Sequence, residues 1–189
     1  MMADLAAARL NMVESQVRTA DVTDVRIHDA MREIARERFV PDRVYMAYAD
    51  MEVAYEPGRW LLKPRDVGKL LQALRPMPGE RALAIAAPYA AAVIEAIGLP
   101  VTRLDGEDLT ALGDETYDLI VCEGAVARAP QAWRDALALG GRLGVVERDG
   151  PVGRACLYVR AEDGVGRREL FDATPPVMPG FEAQHGFAL

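Results

Sequence analysis

Lysine is almost absent from this chain, which carries only Lys63 and Lys69 among 22 basic residues in a length of 189. The 29 acidic residues leave a net charge of −7. A general nucleic-acid binder carries a basic face, so this charge balance argues against that class of protein. The length suits one domain with a sizeable core.

Cysteine and histidine are equally scarce. Cys122 and Cys156 each stand inside an apolar run and are predicted to be buried, reduced thiols, and His28 and His185 are far apart in sequence with no motif around them. Four such residues without metal-ligand spacing do not predict a zinc site or a disulfide. We therefore expect a protein that uses neither.

Long hydrophobic runs are also missing, and no segment is apolar over the length needed to span a membrane. The first residues include early acids and lack the pattern of a signal peptide. The expected compartment is the cytoplasm, with no membrane partner.

What is present is a hub, residues 81–105, around which the rest of the chain is organised. Residues 81–86 form an apolar run after Arg81, as in a strand buried on both faces. Residues 90–97 predict a buried helix that stops at Gly98, and residues 101–104 predict a second strand. This is one βαβ unit, and ligands of such sheets bind beyond the carboxyl ends of the strands.

The turn after the first hub strand has no glycine. It reads Ala86, Ala87, Pro88 and Tyr89. A nucleotide-like cofactor is usually met by glycines there, because a residue without Cβ lets the backbone approach closely. The sequence therefore predicts a crevice that Pro88 and Tyr89 could plug.

Helical patterns precede the hub, and mostly strand patterns follow it. The predicted helices before the hub are residues 5–18, a helix capped by Thr23 or Asp24, a short helix at 42–50, and 65–74. After the hub we predict one helical turn within 106–115, a helix at 130–139, and strands at 117–123, 142–147, 155–160, 168–171 and 181–187. The charged run 36–38 is interpreted as a solvated face.

The order of elements predicts an α/β fold with a Rossmann-like sheet and helices on both faces. Because strands rather than further βα units follow the last helix, the methyltransferase variant of that fold is favoured. We divide the chain into a helical N-terminal part, residues 1–78, and a sheet core, residues 79–189, which together form one compact unit.

Several segments resemble the protein-L-isoaspartate O-methyltransferase family. The segment at 13–41, VESQVRTADVTDVRIHDAMREIARERFVP, is similar to its N-terminal signature, and so are the YAD run at 48–50 and GRWLLKP at 58–64. The segments 117–130, 139–147 and 170–181 fit as well. The resemblance implies a class I methyltransferase fold, S-adenosylmethionine as cofactor, no metal, and methylation of the free carboxylate of damaged isoaspartyl residues.

The chain departs from the family at three places. The cofactor turn has lost its glycines, and Leu62 stands where the substrate loop carries a serine. One βα unit is also missing by length: residues 101–108 either match a later strand of the family, or Asp105 is the acid that holds the ribose and too few residues follow it. Losing several polar contacts together would weaken cofactor binding by powers of ten.

The resemblance implies two sets of site residues. The cofactor set, if the site survives, comprises Ala86, Ala87, Tyr89, Asp105, Gly106, Glu107 and Glu123. The substrate-loop set comprises Gly58, Leu61, Leu62, Lys63 and Pro64.

Three functions remain open from the sequence. The first is a degenerate, non-catalytic family member that acts by binding, with Arg59, Lys63 and Arg65 available to a protein or peptide with acidic groups. The second is an active S-adenosylmethionine-dependent protein carboxyl methyltransferase that repairs isoaspartyl residues. The third is a homodimer that pairs through an unfilled sheet edge.

Overall fold

The computed structural model describes residues 2–183 as a mixed α/β fold built on a six-stranded sheet and a separate two-stranded hairpin. The hairpin strands are β1 (Val53–Glu56) and β2 (Arg59–Leu61). The sheet strands are β3 (Ala82–Ile85), β4 (Val101–Leu104), β5 (Tyr117–Val126), β6 (Leu137–Arg148), β7 (Gly153–Ala161) and β8 (Gly164–Asp172). The α-helices are α1 (Met2–Met12), α2 (Val25–Glu33), α3 (Pro64–Leu74), α4 (Pro88–Ile97) and α5 (Gln131–Asp135).

The hub prediction is confirmed. β3 lies in the interior of the sheet and pairs in parallel with β4 on one side and β5 on the other. Its four small apolar residues are all buried, because both faces of the sheet are covered there. Gly98 ends α4 with a φ of 105°, a left-handed conformation that favours glycine.

The sheet order is β4-β3-β5-β6-β7-β8, parallel as far as β6 and antiparallel beyond it. The parallel half is the βαβ part of the chain, and the antiparallel half follows the last helix, as predicted. One strand, β4, lies beyond β3 at the edge. The absence of a family βα unit stays a prediction.

The two faces of the sheet are covered unequally. Alternate residues of β3 point to opposite faces, with Ala82 and Ala84 in one hydrophobic cluster and Leu83 and Ile85 in the other. The first cluster also takes in the N-terminal helical part, α3 and α4, whereas Leu109 of the loop after β4 and Trp133 of α5 cover the second. Helices on both faces are thus confirmed, with the smaller cover on the second face.

The helix predicted at 130–139 is wrong in extent. α5 has five residues, and β6 begins directly after it at Leu137. The amide of Tyr117 donates to the Ala136 carbonyl at 2.8 Å, and Leu137 pairs with Tyr117. Pairing with the buried strand β5 therefore outweighs the helical pattern of these residues.

Other differences concern local geometry. The first helix continues as a π-helical turn, Val13–Val17, and a 3-10 turn, Arg18–Ala20, while the segment predicted as a helix at 42–50 forms a 3-10 helix, Pro41–Met46. No helical turn forms within 106–115. Asp24 caps α2 as predicted, its carboxylate accepting from the Arg26 amide at 3.0 Å.

The predicted last strand, 181–187, is only partly testable. Residues 181–183 are irregular, and the rest of that segment lies outside the described residues. The proposed boundary at residue 78 falls between α3 and β3, and one hydrophobic cluster spans both sides of it.

Both cysteines are buried and unbridged, as predicted. Within residues 2–183, no helix has the length and apolar character to cross a membrane, and no three His, Cys, Asp or Glu side chains are grouped to hold a metal ion.

Candidate functional site

The carboxyl ends of three neighbouring parallel strands meet at one edge of the sheet. Ala86 follows β3, Asp105 follows β4, and Glu123 lies within the second half of β5. The Ala86 amide donates to the Leu104 carbonyl at 3.0 Å, which ties the ends of β3 and β4 together. β4 and β5 follow β3 in the chain and pair with its two opposite edges. The direction of the strand order therefore reverses at β3, and such a switch point is where open α/β sheets bind ligands.

Ala86 has a φ of 45°, although it is not a glycine. The turn therefore keeps a backbone conformation that favours glycine while carrying a Cβ, at a cost of about 1–2 kcal/mol. Ala86 and Ala87 are at most 1% exposed. A methyl group thus occupies the position where close approach of a ligand to the backbone would be needed.

Glu123 places a carboxylate at the start of α4. Its Oε2 accepts hydrogen bonds from the amides of Tyr89 and Ala90, each at 3.2 Å, and the residue is completely buried. Burial raises the pKa of this carboxyl to about 7, against the opposing effects of Arg36 and the two amides. The protein's own side chain therefore fills the anion position at a helix N-terminus.

Arg36 is the buried cation beside this carboxylate, and the prediction that residues 36–38 form a solvated face is wrong at this position. The guanidinium donates to the carbonyls of Ala47 at 2.8 Å and Leu62 at 2.6 Å. The 3-10 turn Arg36–Phe39 directs this side chain inward, while Arg38 stays exposed. Burial lowers the pKa of Arg36, and the acidic groups around it oppose that effect.

Tyr89 contacts both charged groups, Glu123 through its backbone amide and Arg36 through its ring. Its ring is completely buried, with the Arg36 guanidinium carbon 4.6 Å from its centroid and the Phe39 ring packed edge-on at 5.9 Å. Burial raises the pKa of the Tyr89 hydroxyl. The side chain expected as a plug therefore lies inside the crevice.

Three polar atoms in this cluster lack a hydrogen-bond partner among residues 2–183: Arg36 Nη1, the Tyr89 hydroxyl oxygen and Glu123 Oε1. Buried polar atoms are normally paired, so these three are costly to the fold. The interior at this point is therefore polar rather than a purely apolar core.

The β1–β2 hairpin covers the crevice. The Tyr55 hydroxyl donates to the Ala86 carbonyl at 3.2 Å, and burial raises its pKa, as do the nearby charges of Glu123 and Asp105. Arg59 donates to the Gly106 carbonyl at 3.2 Å and contacts the Met178 sulfur at 3.4 Å. Through these bonds the hairpin connects the residues that follow β3 and β4.

The predicted cofactor residues divide into two groups. Ala86, Ala87, Tyr89 and Glu123 come together in the closed half, next to β3 and β5. Asp105, Gly106 and Glu107 lie at the end of β4 and are exposed. The side of the site expected to hold a ribose is open, and the side expected to hold the methionine part is closed.

The predicted substrate loop lies directly before α3. Leu61, Leu62 and Pro64 are buried, and Gly58 and Lys63 are half-buried. Leu62, in place of the family's serine, packs in the core and uses its carbonyl to hold Arg36. The loop is therefore a structural part of the closed crevice.

The cations near this loop all have acceptors. Arg59 is bonded as described above, Lys63 Nζ lies 3.8 Å from Glu52, and Arg65 lies 3.0 Å from Asp50. An acidic partner would have to compete with these groups.

Sequence reasoning missed Arg36 and Tyr55. At least one strand and one helix separate each of these residues from the hub in the chain, and only the fold brings them to it. The signal available for Arg36 was its place in the run that resembles the family signature.

An adenosyl cofactor does not fit the closed half of this arrangement. Ala87, Tyr89 and Glu123 have no exposed surface at all, so no space for even a solvent molecule adjoins them. Entry would require the Tyr89 ring and the Glu123 carboxylate to leave their positions.

Comparisons with known proteins agree on one group. The chain is 32% identical over 197 residues to a protein-L-isoaspartate O-methyltransferase of Methylorubrum populi, covering 89% of this chain and 92% of the relative. It is 32% identical over 200 residues to the same enzyme of Methylorubrum extorquens, with 91% and 87% covered. No protein-family model matches.

Solved structures show the same fold. A Plasmodium falciparum chain assigned as a protein-L-isoaspartate O-methyltransferase, solved with S-adenosyl-L-homocysteine, superposes with a TM-score of 0.73 at 14% identity, covering 90% of this chain and 97% of that one. Another structure, described as a protein-L-isoaspartate O-methyltransferase, gives 0.71 at 18% identity, with 86% and 63% covered.

Proposed function

The chain belongs to the protein-L-isoaspartate O-methyltransferase family, and on that premise we propose that it is a non-catalytic member that acts by binding. Its own side chains take the place of S-adenosylmethionine. The observation that carries the proposal is the completely buried set of Arg36, Tyr89 and Glu123 at the switch point of the sheet.

A cofactor that entered the closed half would have to displace the Tyr89 ring and the Glu123 carboxylate. Exposing the Tyr89 ring costs about 2 kcal/mol, and releasing a charge-assisted bond from Glu123 costs about as much again. A penalty of about 4 kcal/mol weakens binding roughly a thousandfold. Catalysis in this family requires a methyl donor oriented against a carboxylate, so a displaced donor gives little rate.

Methyl transfer to an isoaspartyl peptide tests the proposal. We expect no transfer above the blank from this chain, with the Methylorubrum populi relative as the active reference under identical conditions. Turnover that depends on S-adenosylmethionine and on the isoaspartyl residue would contradict it.

The second candidate, an active carboxyl methyltransferase, is favoured by one observation: Asp105 stands exposed at the carboxyl end of β4, next to β3. In that case Asp105 would hold the ribose, and Asp105→Ala would abolish turnover. Under the non-catalytic proposal the same substitution changes no activity, because there is none to lose.

The proposed partner is a protein or peptide with acidic groups that meets the cations beside the former substrate loop. Arg59 and Arg65 would exchange the acceptors that they hold within the chain for carboxylates of the partner. Binding of a fluorescent Glu-rich peptide that is lost at high salt and in Arg65→Ala would support this, and equal binding by the variant would contradict it.

Self-association is a separate proposal. β4 is a four-residue edge strand with open backbone groups. Sedimentation of the intact chain decides between a monomer and a homodimer.

A further inference from the structure

A surface groove lies away from the switch point, between α5 and the hairpin that β7 and β8 form. It measures about 420 Å³, within the range of small-molecule sites. Two cations line it, Arg134 of α5 and Arg160 of β7. Arg160 shares a face of β7 with Cys156 and Tyr158, so the groove lies on the face of the sheet that α5 covers.

Neither of these arginines is neutralised by an acid. Within residues 2–183, no carboxylate forms an ion pair with Arg134 or Arg160, although the chain has 29 acidic and 22 basic residues. The acid next to Arg134 in sequence, Asp135, accepts from Gln131 Nε2 at 2.7 Å instead. The groove therefore contains two positive charges without an anionic partner.

Arg134 offers one free set of donors. None of its side-chain nitrogens makes a hydrogen bond with the described chain; Nε is buried, whereas Nη1 and Nη2 are open to solvent. This pair of terminal nitrogens is a fork that can donate to two oxygens at once. The guanidinium has lost water at Nε without gaining a protein acceptor, so an anion at the terminal fork would compensate a charge that is partly desolvated.

Arg160 offers a second fork. Its Nη1 donates to the carbonyls of Arg134 at 3.4 Å and Asp135 at 3.3 Å, which holds the guanidinium against the end of α5. Its Nε and Nη2 make no hydrogen bond with the described chain and are open to solvent. These two nitrogens lie on the same edge of the guanidinium and can also donate to two oxygens.

We propose that this groove binds a phosphate monoester that carries an apolar group. The ester has three terminal oxygens and can accept from both forks, whereas a carboxylate has two oxygens and fills one. Leu139, which is 66% exposed, and Val165 also line the groove and provide an apolar contact for the esterified group. The site is independent of the crevice at β3 and of the proposed loss of catalysis.

Two acids at the groove limit its affinity. Asp135 and Glu162 line it as well, and Glu162 is exposed and has no partner within residues 2–183. Their charges oppose an anion, so binding should be modest and should weaken as salt is added. Removing the charge of Glu162 should accordingly strengthen binding.

An NMR titration of the isotope-labelled protein with phenyl phosphate, at neutral pH and low ionic strength, tests the site. The ester is largely a dianion at this pH. We expect saturable shifts centred on the amides of α5 and of the turn between β7 and β8, with a Kd of about 0.1–10 mM. Benzoate, an aromatic anion with a single carboxylate, should bind at least about tenfold more weakly.

Arg134→Gln is the decisive variant and should weaken binding at least about tenfold. Because Arg134 makes no bond within the described chain, the variant should unfold at the temperature of the parent when no ligand is present. Glu162→Gln should tighten binding by about two- to fivefold. Arg168→Gln removes an exposed arginine that pairs with Leu157 on the opposite face of the sheet, and it should leave the Kd within a factor of about two.

Absence of saturable binding, or shifts centred elsewhere, would overturn the proposal. Equal binding by Arg134→Gln would overturn it too, as would equal losses in Arg134→Gln and Arg168→Gln, which would reflect net charge alone. Benzoate binding as tight as that of phenyl phosphate would contradict the assignment of the ligand. Should Arg134→Gln prove unstable, Arg160→Gln is the second variant, and it must also weaken binding.

Discussion

Arg36 connects three parts of the chain that are distant in sequence. It holds the carbonyls of Ala47 and Leu62 and stacks on Tyr89. From sequence it belongs to a charged run, and nothing in its neighbours distinguishes it from Arg38. The difference arises from a 3-10 turn that points one arginine into the core and leaves the other in solvent.

Replacing Arg36 by alanine should therefore be severe. Arg36→Ala leaves Glu123 uncompensated and two carbonyls without donors, and we expect a loss of about 3–5 kcal/mol in the free energy of unfolding. Arg38→Ala, on the exposed side of the same turn, should stay within about 0.5 kcal/mol of the parent. Denaturant unfolding of both variants measures the difference, and similar losses would contradict the buried role of Arg36.

Ala86 offers a test of backbone strain at the cofactor turn. Glycine tolerates a φ of 45°, so Ala86→Gly should leave the stability unchanged or raise it by up to about 1 kcal/mol. Ala87 has a φ of −131°, and Ala87→Gly should lower stability by about 1 kcal/mol. If urea unfolding ranks the two variants in the opposite order, Ala86 is not strained.

Glu123 should make stability depend on pH. Its pKa in the folded protein, about 7, lies above the ordinary 4.5, so the folded state binds the extra proton between these values. The stability advantage of the parent over Glu123→Gln is therefore greatest below about pH 4.5 and declines as the pH rises through 7. The change approaches about 3 kcal/mol.

Unfolding of the parent and Glu123→Gln across this pH window isolates the contribution of Glu123, because the other titrating groups are common to both proteins. A pH-independent difference would contradict the assignment, and so would one that grows with rising pH.

At the scale of elements, the hub was predictable and the segment after β5 was not. The local sequence of residues 81–104 predicts their structure, because it contains two short strand patterns and a helical pattern that ends at Gly98. Residues 130–139 carry a helical pattern around Trp133, yet only α5 forms, because Leu137 finds a partner in Tyr117 of β5. Strand pairing over such a sequence distance has no local signal.

The turn at the start of β6 can be tested through Gly141. A Cβ there would lie 2.7 Å from the Ala138 carbonyl oxygen and 2.8 Å from that of Tyr117, and neither backbone atom can easily move. We expect Gly141→Ala to cost about 1–3 kcal/mol. Gly166→Ala should be neutral or slightly stabilising, because a Cβ there would meet only the Val159 carbonyl oxygen, at 4.0 Å. Equal effects in thermal unfolding would contradict the close approach of β5 and β6.

For the whole molecule, fold and family follow from the sequence, whereas the state of the site does not. The lost glycines predicted a changed cofactor turn, and Tyr89 was a candidate plug. The sequence could not show that Arg36 and Tyr55 come from the N-terminal part to close the crevice, since that depends on how the hairpin and the 3-10 turn pack over the sheet. The sequence also could not show that the half of the cofactor site at β3 is closed while the half at β4 is open.

The central claim is that the chain's own side chains have replaced the cofactor, and calorimetric titration with S-adenosylhomocysteine tests it most directly. We predict neither heat nor a thermal shift at ligand concentrations up to about 1 mM, where binding would be worth at most about 4 kcal/mol. Saturable micromolar binding would contradict the account, because it would require Tyr89 and Glu123 to leave their buried positions readily.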